Sequence, residues 1–299
     1  MRNILKVKIN MIKVAICHHS FLFLAEIWYN ANMDKNNNTY KSHIVLVRQL
    51  VRPYQIKTTD GKQVKYLDLK TETIKQIKVK EIDAEEKYFD EIMEEFLNKN
   101  IETPFADTVL KLRKMLNEKE TKGLITKDLN IIRRFFQFSF LRNKELFKKV
   151  LKESEFASLI SGFSHSVMLA FSRATDEYFK NKKISIMHNI TNSGYGFVCP
   201  HDVVYYFFNS FHKSYNLAIT IDRNIIACLN LTKESDDVDI LKIENDFDIR
   251  AINCAAFLTE RSHGVKYVVG KEDDLQRLIE DVKELESQKK DLIIIETKK

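Results

Sequence analysis

Glycine and proline are scarce here, with 7 Gly and 3 Pro among 299 residues. That scarcity excludes a Gly-rich phosphate loop, a collagen-like repeat and a proline-rich linker. Cysteine is equally thin. Cys17, Cys199, Cys228 and Cys254 stand far apart and form no CxxC pair. A disulfide framework and a cysteine-rich zinc site are therefore not expected, and a reducing cytoplasm is the natural compartment. Long apolar runs are missing as well. Residues 14–25 follow Arg2, Lys6, Lys8 and Lys13 and imitate a signal peptide, but Cys17, His18, His19 and Ser20 split them. The clean run left, 21–25, is far below the roughly 18 apolar residues of a spanning helix. No membrane span is expected. Met33 offers a second start, so 1–32 reads as an extension outside the domain or as upstream translation.

The remainder has the balance of a globular chain: 44% hydrophobic and 30% charged, with a net charge of +6. The charge is unevenly spread. Between Lys111 and Lys152 lie Arg133, Arg134, Arg142, Lys148, Lys149 and eight further basic residues, against Glu118, Glu120, Asp128 and Glu145. Residues 234–248 are the reverse, with Glu234, Asp236, Asp237, Asp239, Glu244, Asp246 and Asp248. The basic stretch suits phosphates or an acidic partner, and Arg133, Arg134, Lys148 and Lys149 are its nucleic-acid-binding candidates.

Periodicity predicts a fold class. Residues 44–51 read as a strand ended by Pro53. Residues 64–69 and 74–79 alternate after an Asp60-Gly61 turn. From 85 the period becomes helical, and Thr103-Pro104 reads as an N-cap and first-turn pair for a helix to about 116. Thr126 or Asp128 opens another helix, with Leu129, Ile132, Phe135, Phe136 and Phe140 on one face. Helical pattern continues at 146–151 and 155–179. Residues 195–198, 217–221, 265–269 and 292–295 read as strands, 222–231 as a strand or short helix, and 247–256 and 273–288 as helices. The order is β, then α, then mixed. The expectation is a single α+β domain over 33–299, β-rich at 40–82, helical at 83–183 and mixed at 184–299.

Chemical motifs are few. No HExxH, GxSxG, GxGxxG or GxxxxGK[ST] occurs, and no metal site is expected. Asp60 with Asp68-Leu69-Lys70 loosely copies a restriction-type nuclease strand, in which an acid and a lysine share one face. Arg142 begins like an Arg-x4-His ribonuclease motif, but Phe147 stands where the His belongs. His201-Asp202 follows a Cys199-Pro200 turn at a strand end, where catalytic groups often sit. The aromatic runs 135–140 and 205–208 suit base stacking or core packing.

One resemblance emerges. Lys41-Ser42-His43-Ile44-Val45 leading to Leu50-Val51-Arg52 is similar to the opening of a large bacterial family of unknown function, whose domain begins with His-Tyr-Val-Pro-Gln. Residues 63–69, 71–82 and 217–229 resemble its strands, and Ile101-Glu102 a helix start. Ile252-Asn253 through Val265-Lys266-Tyr267-Val268-Val269-Gly270 resembles its closing segment. The likeness spans roughly 41–279. Departures are Leu46 for the signature Pro, Pro53 for a Phe, Ser139 for a Gln, and Cys199-Pro200-His201-Asp202 for a Ser-Asp-Asn-Pro box.

The resemblance marks His43, Arg142 and Asp202, with His201 beside it, as the polar residues to follow. They would serve as base, phosphate clamp and orienter in phosphodiester chemistry. It implies no demonstrated reaction and no known cofactor. The expectation is a cytoplasmic bacterial or phage effector acting on RNA or DNA, a toxin-like or phage-defence nuclease with or without a metal. The alternative is a non-enzymatic protein that binds a protein partner or itself.

Overall fold

The computed structural model describes residues 41–43, 50–81, 84–86, 91–118, 124–141, 172–173, 175–201, 203–209, 214–263 and 267–287. The elements form an α+β fold, as the order of periodicities predicts. Two compact units emerge. The first draws on residues up to Leu46, on Asp83–Ile184 and on Leu229–Val238; the second on Val47–Ile82, Ser185–Cys228 and the chain from Asp239 on.

In the first unit, β1 (Lys41–His43) pairs antiparallel with β5 (Ala84–Glu86), placing His43 opposite Ala84. The helical pattern read from 85 therefore begins with a strand, and α1 covers Glu91–Leu97. A π turn, Asn98–Glu102, joins it to α2 (Thr103–Glu118). Thr103 is consequently no N-cap; its backbone is helical and its N–H donates to the Asn98 carbonyl. The widened turn stands directly before Pro104, whose missing N–H and ring bulk disfavour a regular ladder. Helix α3 (Thr126–Leu141) opens where expected. The Asp128 carboxylate caps it, accepting from the Ile125 N–H at 2.9 Å and from the Lys111 ammonium. Phe105 and Phe135 stack with centroids 3.5 Å apart, among buried Leu97, Val109, Leu112 and Phe136.

The second unit begins with a 3-10 turn, Arg52–Tyr54, carrying Pro53 in its first turn. Leu50 and Val51 lead into this turn rather than ending a strand, because proline's fixed φ suits a first helical turn. Then β2 (Ile56–Thr58), β3 (Gly61–Asp68) and β4 (Thr73–Lys78) form successive hairpins. The first turns at Thr59-Asp60, and Gly61, which follows as the first residue of β3, takes φ +108°. On its other side β3 pairs with β12 (Tyr267–Gly270), which pairs with β7 (Cys199–Pro200).

A second sheet runs β11-β6-β10-β9-β8. Its strands are β6 (Lys182–Asn189), β8 (Val204–Asn209), β9 (Ser214–Asp222), β10 (Ile225–Glu234) and β11 (Val238–Ile243). Through β6, β10 and β11 the chain passes from one unit to the other. Residues 225–234 settle as strand, and the acidic stretch 234–248 holds β11. Helices α4 (Asp246–His263) and α5 (Glu272–Ser287) follow their predicted positions. Leu67, Met187, Phe197, Ile226, Phe257, Val268, Leu275 and Leu278 form the core of this unit. The strand expected at 292–295 lies outside the described residues.

Candidate functional site

Residues 195–198 read as a strand in the sequence, yet among the described residues no neighbouring strand pairs with them. Side chains, with one backbone carbonyl, replace the ladder. The Tyr195 carbonyl accepts from Asn189 Nδ2 at 2.8 Å. The Gly196 N–H donates to Asp274 Oδ1 at 2.9 Å, and its carbonyl accepts from Asn253 Nδ2 at 3.0 Å. Phe197 donates to the Arg223 carbonyl at 2.8 Å and accepts from the Tyr54 hydroxyl at 2.8 Å. Val198 donates to Asn253 Oδ1 at 3.1 Å and accepts from the Thr220 hydroxyl at 2.8 Å. These backbone groups are buried, so each would cost roughly 1–3 kcal/mol if left unpaired.

Two features tighten the clamp. Asp274 is 0% exposed and accepts from Arg223 Nε at 2.6 Å and from its terminal nitrogen at 2.8 Å. That bidentate pair runs across Gly196, where a Cβ would stand 2.1 Å from Arg223 Cγ. Only glycine fits beneath the guanidinium. The paired carboxylate in turn raises the Arg223 pKa. Burial does the same, strongly, for the Tyr54 phenol, which stays protonated and able to donate.

The clamped segment enters β7 and ends in a turn. The Val203 N–H donates to the Pro200 carbonyl at 3.2 Å, with His201 and Asp202 between them. Val203 sits at φ +61°, an unusual conformation for a β-branched residue. Its side chain is 4% exposed. At the tip of the turn, the His201 ring meets Tyr267 edge-on, centroids 4.7 Å apart. Tyr267 in turn leans on Tyr66 at 5.2 Å. Asp68, opposite Tyr267 on β3, is held by Lys75 at 2.5 Å and by the N–H groups of Lys70 and Thr71. Lys75 is the main cause that draws the Asp68 carboxyl down from 3.8 to about 2.

The sequence candidates distribute unevenly. His201 is half-buried at the turn described above. His43 lies on β1; its side chain, with Arg142, Asp202, Lys148 and Lys149, lies outside the described residues. Arg133 is not a surface contact. It is 3% exposed, and its guanidinium donates to the Lys182 and Ser235 carbonyls, to Asn130 and to Asp236. Arg134, one position further along the helix, is exposed. The nuclease-like Asp60, Asp68 and Lys70 do not make a site either. Asp60 is an exposed turn residue, Lys70 lies beyond the strand, and Asp68 organises the turn after it. Among the described residues no three His, Cys, Asp or Glu side chains group to hold a metal ion. Of the aromatic runs, Phe135, Phe136, Phe138 and Tyr205 are buried, as core packing requires.

Tyr54 and Asp274 carried no motif, and Tyr66 and Arg223 stood only inside strand segments of the resemblance. Asn253 and Tyr267 stood only in the closing segment of the resemblance. A buried Asp three residues into a helix gives no sign of which loop it will meet, so only the register of β12 against β7 could reveal this group. Comparison of the chain with protein-family models, with curated proteins and with solved structures returns no match. Among the described residues, no helix is long and apolar enough to cross a membrane.

Proposed function

We propose that this protein acts on nucleic acid as an effector nuclease, with His201 as the side chain that meets the phosphodiester. One observation carries this reading: a buried, hydrogen-bonded segment ends in a turn with a left-handed valine, and the tip of that turn is an imidazole. A left-handed valine costs roughly 1–2 kcal/mol, which an unconstrained loop would relax away. Strain of this kind concentrates where a group must be held for work. A neutral imidazole takes the proton of an attacking hydroxyl and returns it to the leaving oxygen. Asp202, next to it in the sequence, is the orienter that the resemblance implies.

The test is a cleavage assay on mixed RNA and DNA, with and without Mg²⁺ or Mn²⁺, with His201→Ala and His43→Ala proteins beside the wild type. Loss of cleavage in His201→Ala, with its circular dichroism unchanged, supports the reading. Cleavage unaffected by that substitution removes His201 from it. Absence of cleavage under every condition favours the non-enzymatic binding protein. That alternative has fewer free charges than its sequence offers, because Glu234 pairs with Lys182 and Asp236 with Arg133.

A further inference from the structure

We infer that the face of the β4-β3-β12-β7 sheet bearing Tyr66, Tyr267 and His201 is a stacking track for single-stranded nucleic acid. The inference rests on the nucleic-acid reading above and names its substrate class. Register places the residues. Side chains alternate along a strand, so Lys62, Val64, Tyr66 and Asp68 share one face of β3. Lys57 stands opposite Lys62, Lys75 opposite Tyr66, and Tyr267 opposite Asp68. Pro200 pairs with Val268, so the next step puts His201 beside Tyr267, and the ring contact agrees. Three rings thus step across neighbouring strands at 5.2 and 4.7 Å. Tyr66, Tyr267 and His201 are all half-exposed, while the opposite face sends Leu67 and Val268 into the core.

Part of the charge on this face lacks an internal answer. Lys57 and Lys62 are exposed and directly opposed, an arrangement that destabilises a sheet. Neither has an acidic partner among the described residues. Val64, Val269 and Cys199 share this face and are buried, so it is covered across its middle, with the lysines exposed at one end and the rings at the other. Asp68 does not oppose an anion here, because Lys75 and two backbone N–H groups already hold its charge. Phosphates would neutralise the lysine pair, and bases would cover the rings. Only an unpaired strand offers base faces for stacking, since a duplex hides them between its own pairs.

The experiment is fluorescence anisotropy on the full chain, using labelled oligouridylate, labelled oligothymidylate and a labelled duplex of equal length. The wild type should bind the single strands more tightly than the duplex. Paired Tyr66→Leu and Tyr267→Leu substitutions should weaken single-strand binding about tenfold or more, whereas paired Tyr→Phe substitutions hold it within about twofold. Lys57→Gln with Lys62→Gln should flatten the salt dependence by roughly 0.7 of a unit of slope for each phosphate that is no longer neutralised. Melting curves confirm that each variant folds. If the single strands bind the Leu variant as tightly as wild type, or the duplex binds as well as the single strands, the track is wrong while the nucleic-acid reading stands. If no nucleic acid binds at all, both fall.

Discussion

Asp274 has no access to water and carries three hydrogen bonds, two of them from one guanidinium. Removing the carboxylate strands the Gly196 N–H and leaves Arg223 without its counter-ion. Asp274→Ala is expected to cost about 3 kcal/mol, read from the urea unfolding midpoint. Gly196→Ala should act through the same pair, since the new methyl displaces Arg223. The double variant should then cost clearly less than the sum of the two single effects; full additivity would show that they act independently. Asp68 gives a prediction in pH. Its folded pKa lies below the ordinary value, so its contribution is fully present above about pH 4 and lost as pH falls toward about 2. The contribution is small because Lys75 is 43% exposed. Asp68→Asn should therefore lower the melting temperature slightly at neutral pH, leave it unchanged near pH 2, and so remove that part of the acid-induced fall.

At the scale of elements, helix starts separate local signal from local structure. Thr103-Pro104 has the residue types of a helix opening, but the π turn carries the helix straight through it. Asp128 does cap, through the Ile125 N–H. Asp128→Ala should therefore lower stability by about 1 kcal/mol, whereas Thr103→Ala should change it by less than about 0.5 kcal/mol. Equal effects in chemical denaturation would mean that Thr103 does cap its helix. The strands divide the same way. The β3-β4 hairpin was legible from alternation, because it is closed by neighbours in sequence, whereas β2 carried no readable pattern. Residues 195–198 were not legible in that way, because their partners are side chains on Tyr54, Thr220, Asn253 and Asp274, distant along the chain.

Across the whole molecule, the two units exchange the chain at several points, so neither is one continuous stretch. Arg133 shows the consequence. Within the first unit its buried guanidinium needs Asp236 and the Ser235 carbonyl, which follow it by about a hundred positions. A fragment of residues 83–184 contains every described helix of that unit but neither acceptor. It should lack cooperative thermal unfolding and be cut by protease far faster than the intact chain. A cooperative melt from this fragment would show that the late segment is dispensable.

The sequence by itself determined the α+β class, the β3-β4 hairpin, the two C-terminal helices and the apolar face of α3. These follow from period, turn chemistry and propensity, which act over a few residues. It also singled out His201 at the end of a strand. Tertiary structure alone decided that Arg133 is buried, that Asp68 serves a turn, and that Asp274 clamps Gly196. It decided equally that Tyr66, Tyr267 and His201 share one face. Those outcomes depend on which strand lies beside which, and in what register. A single-residue slip of β12 against β3 would turn Tyr267 to the other side of the sheet. Pairing between residues some two hundred positions apart is set by burial of the common core, and no local pattern encodes it.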